Sequence, residues 1–371
     1  MRSLKLLIPE EEADSDRLTV AGLLLLGRSE SIQRDLPQAE VTYLRQRTET
    51  DIVLTKHLCL PLPLLLTRLE ELIGAASETH SFRYGLLRID IPDFPSSVYR
   101  EAVLNAVAHR NYGLSGNVVI RQYPDRLEVT SPGGFPTGVS TDNILRQVVP
   151  RNRALADALF RLGYVERAGI GVDMMYKEML RLGKQPPEFI AESKSVRLLL
   201  RDAAFDEHFA AFAENRSRQG TPLSLDQLLV LSYLKRHLEL DRAQAVALLQ
   251  RSEREVSERL TTMVRGGLLE RRGTGGGAVY QMSGSVAQEL GLPPRERLIE
   301  SIRCEQMVLR YVEEKGSIRN AECQQLCGVS PRQAGYLLSK LVEAGELEKR
   351  GRKRGTRRLT PFFGPQNGRK K

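Results

Sequence analysis

The chain has 371 residues, 41% of them hydrophobic and 27% charged, enough for two or three cored domains of ordinary globular composition. Its formal net charge is +9, and residues 349–371 carry ten Lys or Arg with no acid, so the excess is C-terminal and points to a polyanion, nucleic acid being the commonest. The leucine-rich pieces around Leu23 to Leu26 and Leu58 to Leu66 are too short or too broken by proline to span a membrane, and Glu10, Glu11 and Glu12 interrupt any signal peptide, so a cytoplasmic protein without membrane contact is expected.

In chain order, residues 18–27 and 36–39 are the first apolar pieces, residues 58–73 read as an amphipathic helix, and residues 86–91 read as a strand. Residues 101–112 form the next helix. At 3.6 residues per turn, Glu101, Asn105 and His109 fall on one stripe, with apolar residues between them turned to a core. Three more pieces follow: the turn Ser131-Pro132-Gly133-Gly134, Arg151-Asn152 opening a helix, and Glu166-Arg167-Ala168-Gly169-Ile170-Gly171.

Taken together over residues 86–200, these four pieces resemble the Bergerat-type nucleotide-binding fold of gyrase, chaperone, histidine-kinase and mismatch-repair ATPases. The nearest likeness is a divergent bacterial branch described as similar to the C-terminal part of RecG-type helicases and accompanied by a Schlafen-AlbA domain. Residues 18–39 resemble the tail of that domain, so residues 1–85 read as its remnant with a connecting helix, and the Schlafen nuclease role does not transfer. The resemblance implies an α/β sandwich over residues 86–202 with ATP and magnesium as cofactors. Asn105 would hold the metal, which wants hard oxygen ligands, and Glu101 would be the general base. Gly133 and Gly134, then Gly169 and Gly171, would let the backbone approach phosphate, the latter pair at a helix N-terminus. His109 would contact phosphate or pack. Mainstream members recognise adenine through an Asp where this chain has Ser131, and a hydroxyl is a weaker and shorter partner for an exocyclic amine.

Phe205, Phe209 and Phe212 are spaced for a packed helix, with residues 215–222 as a linker, placing a boundary within residues 203–222. Beyond it the sequence repeats at an offset of 78 residues, Ser252, Leu260, Gly267 and Leu269 falling on Ser330, Leu338, Gly345 and Leu347. Each copy reads as three helices and a short hairpin: Ser224 and Asp241 cap the first two helices, and Ser252 with Glu255 forms a capping box on the third. The fold expected is therefore α+β, a Bergerat-type sandwich followed by two winged-helix domains at residues 223–290 and 295–362, with a basic tail at 363–371.

In a winged helix the third helix enters the major groove and the wing follows phosphates. Arg332, Gln333, Tyr336 and Lys340 share the outer face of the second copy's third helix, and Arg352, Lys353 and Arg354 form its wing. Arg254 is the corresponding residue of the first copy, whose wing is uncharged glycine. Cys59, Cys304, Cys323 and Cys327 make no disulfide framework, and Cys323 with Cys327 lacks further ligands for a metal. Three functions fit: a transcriptional regulator on double-stranded DNA under ATP control, a DNA-associated ATPase, or an adaptor with a dead nucleotide site. No Walker A loop is present, which disfavours a motor helicase. Base rates of symmetry favour a homodimer.

Overall fold

The structure, a computed structural model, describes residues 4–9, 16–85, 87–165, 170–202, 205–273, 277–292, 295–350 and 357–359. Two compact units divide the chain: residues 1–230 with 241–263, and residues 231–240 with 264–371.

The first unit opens with the antiparallel pair β1 (Leu7–Pro9) and β2 (Asp16–Leu18), then α1 (Val20–Leu26) and α2 (Ser29–Asp35). Thr19 caps α1 by accepting from the Gly22 N–H at 3.1 Å. There follow β3 (Val41–Gln46), β4 (Ile52–Leu58), α3 (Leu62–Gly74), the hairpin β5 (Thr79–Tyr84) and β6 (Leu87–Pro92), and α4 (Ser96–His109). β7 (Val118–Gln122), β8 (Arg126–Pro132), α5 (Arg153–Arg161), α6 (Ile170–Arg181), β9 (Glu188–Ala191), β10 (Ser195–Arg201) and α7 (Glu207–Arg218) complete the series.

One six-stranded sheet runs β4-β3-β7-β8-β10-β9. β3 and β7 are parallel, with Val41 opposite Val118, and the remaining neighbours are antiparallel. Alternation explains how the sheet buries one face: along β7, Val118, Ile120 and Gln122 are buried while Val119 and Arg121 are half-buried. α3 and α4 contribute Leu65, Leu69, Val98 and Val103 to the same apolar core. This mixed sheet with its helices meets the α+β expectation.

Three sequence boundaries move. The helix expected over residues 101–112 runs over Ser96–His109, with Arg110 as its C-cap and Asn111 and Tyr112 beyond it. The helix expected over residues 58–73 starts at Leu62, because Leu58 is the last residue of β4; Pro63 lies in its first turn, where a missing N–H costs nothing. The linker expected from residue 215 is still helix, since α7, capped by Asp206 on the Phe209 N–H at 3.0 Å, continues to Arg218.

Further along lie α8 (Leu225–Arg236), α9 (Arg242–Leu249), α10 (Glu253–Arg265), the pair β11 (Leu269–Arg272) and β12 (Val279–Met282), and α11 (Gly284–Glu289). Next come α12 (Arg295–Lys315), α13 (Asn320–Cys327), α14 (Pro331–Glu343) and the pair β13 (Glu348–Arg350) and β14 (Arg357–Leu359). The order helix, helix, helix, strand pair therefore occurs twice. The 78-residue offset holds in burial too: Val230 and Val308, Leu240 and Ile318, Ala245 and Cys323, Leu260 and Leu338 are pairs whose members are all fully buried. Caps correspond as well: Ser252 with Glu255 at the start of α10 falls on Ser330 with Gln333 at the start of α14, and Asp241 with Gln244 on α9 falls on Arg319 with Glu322 on α13. In the second unit, Val308 and Val312 of α12, Cys323 of α13 and Leu338 and Leu341 of α14 share one core. Among the described residues no helix is long and apolar enough to cross a membrane.

Candidate functional site

α4 presents the stripe that its sequence predicts. Ala102, Val103, Leu104, Ala106, Val107 and Ala108 are buried, whereas Glu101, Asn105 and His109 remain half-open, and Asn105 Nδ2 donates to Glu101 Oε1 at 2.9 Å. These three line a cavity of about 430 Å³ in the first unit, within the roughly 300–1,000 Å³ of small-molecule sites. Its opposite walls are apolar: Val129 and Leu198 from the sheet, and Phe135, Val139, Ile144 and Val148 from the segment between β8 and α5.

The glycine turn is built by close packing. Gly133 has φ +102°, a left-handed conformation that disfavours side chains, and a Cβ there would lie 2.8 Å from the Cβ of Asn111. Its N–H donates to the Lys194 carbonyl at 2.7 Å, and the Arg151 guanidinium donates to the Gly134 carbonyl. Asn152 has a different task from a helix cap: its amide donates to the carbonyls of Ala108 and Arg110 at 2.9 and 2.7 Å, satisfying the C-terminal end of α4. Ser131 lines the cavity but is buried, and its hydroxyl donates to the Ala106 carbonyl at 2.7 Å.

Gly171, in the first turn of α6, lies against the Glu101 carboxylate, so any side chain there would occupy the space that carboxylate fills. Gly169, with residues 166–168, lies outside the described residues. Burial and then the Arg151 charge hold the His109 imidazole below its ordinary pKa, which leaves it neutral at neutral pH. One end of the cavity thus offers carboxylate, amide and imidazole groups, and the other offers aliphatic and aromatic surface. The wall of residues 135–150 had no sequence signal, because irregular segments carry no periodicity.

A second polar cluster joins His80, Asp93 and Asp202, whose ligand-type atoms lie within 4.8 Å of one another. His80 Nε2 is 3.0 Å from Asp93 Oδ1, and the fully buried Lys184 ammonium pairs with Asp202. That internal cation accounts for the cluster as an ion-pair network.

In the second unit, Arg332, Gln333, Tyr336 and Lys340 are all exposed on α14, Tyr336 to 74%. Gln333 also closes the capping box, accepting from the Ser330 N–H at 3.0 Å, and Lys340 pairs with Glu305. Arg254 on α10 pairs with Glu258 at 3.2 Å. Arg352, Lys353 and Arg354 lie outside the described residues.

Residues 116–200 match the family described as ATP-dependent DNA helicase recG C-terminal. The matched stretch includes the Ser131–Gly134 turn and Gly171 and begins after α4, so Glu101, Asn105 and His109 stand outside it. The crystal structure of the DIP2311 protein from Corynebacterium diphtheriae superposes with a TM-score of 0.63 at 21% identity, covering 97% of this chain and 63% of that one. The likeness is one of fold, and this chain spans less than two thirds of that protein's length. No curated protein matches the sequence.

Proposed function

We propose that this chain is a DNA-binding regulator in which the cavity above α4 takes a magnesium nucleotide, and in which the two helix-helix-helix-strand-pair copies are winged helices on double-stranded DNA. The observation that carries the nucleotide half is convergence: the Glu101–Asn105–His109 stripe, the Gly133–Gly134 turn and Gly171 meet at one cavity of suitable size.

The donor set fits the group. Magnesium prefers oxygen ligands and keeps several waters, and Asn105, with its Nδ2 turned to Glu101, has its amide oxygen available for that role. Gly134 and the α6 N-terminus would border phosphates, where free N–H groups favour anions, while Gly133, its own N–H donated to Lys194, would let the backbone come close. His109, neutral, would act as a hydrogen-bond partner and not as a cation. The apolar wall suits a base, and Ser131, committed to Ala106, would supply acceptor lone pairs only. Weak ATP turnover is a second reading, favoured by the Glu101 carboxylate lying beside Asn105, where it can accept a proton from an attacking water.

For DNA, Arg332, Tyr336 and Lys340 offer an exposed cationic and aromatic face, with Arg254 as the lesser contribution of the first copy. Arg352, Lys353 and Arg354 would neutralise phosphates whatever the base sequence.

Calorimetric titration with ATP and magnesium tests the first half: saturable heat in the wild type, lost in Asn105→Ala, is expected, and no heat in either protein sinks the nucleotide site. Salt dependence tests the second. Replacing Arg352, Lys353 and Arg354 by Ala should flatten the log–log slope of DNA affinity by about 0.9 for each phosphate no longer neutralised. An unchanged slope removes the wing assignment.

A further inference from the structure

The wall segment between β8 and α5 has two sides. Ile144 faces the cavity, while its neighbours Leu145 and Arg146 reach the turn between α9 and α10, all within the first unit. The Leu145 N–H donates to Gln250 Oε1 at 2.9 Å, and Gln250 Nε2 donates to the Thr141 carbonyl at 2.9 Å. Arg146 donates to the Leu249 carbonyl at 3.0 Å and lies 3.5 Å from Asp173 and 3.4 Å from Asp226. Asp226, whose side chain is only 6% exposed, also pairs with Arg251 at 3.1 Å and Arg259 at 3.5 Å.

This network belongs to one copy of the repeat alone. At the 78-residue offset, Asp226, Gln250, Arg251 and Arg259 correspond to Cys304, Gly328, Val329 and Leu337. α13 ends in Gly328 at φ +66°, the residue that adopts this conformation without penalty. α9 ends in Gln250 at φ +51°, so the first copy tolerates a left-handed side chain whose amide is then spent on the cavity wall. Cys304 and Leu337 sit in the apolar core of the second copy, where the first copy has a carboxylate and a guanidinium.

We propose that this network is a coupling joint: ligand in the cavity displaces or fixes Ile144, and the change passes through Leu145 and Arg146 to the α9–α10 turn, thereby governing how α10 is offered to DNA. The inference rests on the nucleotide reading of the cavity. A second route runs in parallel, since Gly171 touches Glu101 and Asp173, two residues on in α6, pairs with Arg146. Coupling of this kind requires one element that both sites bias, and the Thr141–Gln250–Leu145 clasp is such an element.

Gln250→Gly keeps the left-handed backbone and removes the clasp. Amide hydrogen exchange with and without ATP and magnesium, beside calorimetry, reads the joint. In the wild type, ATP and magnesium should change exchange in residues 135–150 and, by about 5-fold or more, in residues 249–256. In Gln250→Gly the heat and the response of residues 135–150 should persist while that of residues 249–256 is lost. Heat with no change at 249–256 in the wild type overturns the joint and leaves the nucleotide site standing, and so does an undiminished response at 249–256 in the variant. Absence of heat in the wild type overturns the nucleotide reading and the joint together.

Discussion

The two copies of the repeat keep one core and differ in what surrounds it. Val256 and Leu260 of the first correspond to Ala334 and Leu338 of the second, all fully buried, yet the charged residues around Asp226 have neutral counterparts. Apolar positions that hold three helices together are interchangeable in kind, because burial asks only for volume and hydrophobicity. Positions that face another part of the chain are free to diverge, and here they supplied an ion-pair network and a left-handed glutamine. A duplicated fold thus acquires separate duties without changing its frame.

Leu260→Ala and Leu338→Ala put the shared core to the hardest trial. Each should cost about 2–5 kcal/mol in denaturant unfolding, and a large loss in one with little in the other would break the equivalence. Asp226→Ala should cost about 1–3 kcal/mol, because three arginines lose a buried acceptor, whereas Cys304→Ala should cost about 1 kcal/mol. Equal effects would show that the charge network adds nothing to the first copy. Gly328→Ala should destabilise by about 1–2 kcal/mol through the left-handed backbone, while Gln250→Gly should fall nearer zero, relief of the same strain offsetting the removal of two hydrogen bonds. Thermal unfolding distinguishes them.

The smallest effect is electrostatic and belongs to the second unit. Burial, then Lys340 and Arg236, pushes the Lys235 ammonium down to about 8. Phosphates that neutralise Lys340 would raise it again, so DNA binding near pH 8 should take up a fraction of a proton. Calorimetry in two buffers of different ionisation enthalpy measures that uptake; identical heats would place Lys235 and Lys340 away from the DNA.

Local signals were legible before the structure. Capping pairs such as Ser252 with Glu255, the glycines ending helices and the four-residue spacing of the α4 stripe all act within a turn or two of chain, so composition and period reveal them. The 78-residue offset was equally plain. What escaped was long-range or aperiodic: β4, an edge strand whose residues are mostly exposed, and the cavity wall of residues 135–150. Gln250 and Leu145 lie far apart in sequence, and nothing in either neighbourhood announces that an amide side chain will bridge them. Arg151-Asn152 was visible as a helix start, yet its bonds back to α4 and Gly134 are products of tertiary packing.

The parallel pairing of β3 with β7 has a kinetic consequence. Val41 meets Val118 only after the chain between them, with α3 and α4, has been closed into a loop, and parallel pairing offers no hairpin to start from. The core shared by α12, α13 and α14 instead gathers residues between Cys304 and Leu347, a shorter stretch of chain than that between Val41 and Val118. Low contact order favours rapid collapse of that bundle, while the central sheet should be the slower assembly and the one that leaves strand edges open longest. During refolding from denaturant, α12 to α14 should gain protection first, and aggregation should originate in the first unit.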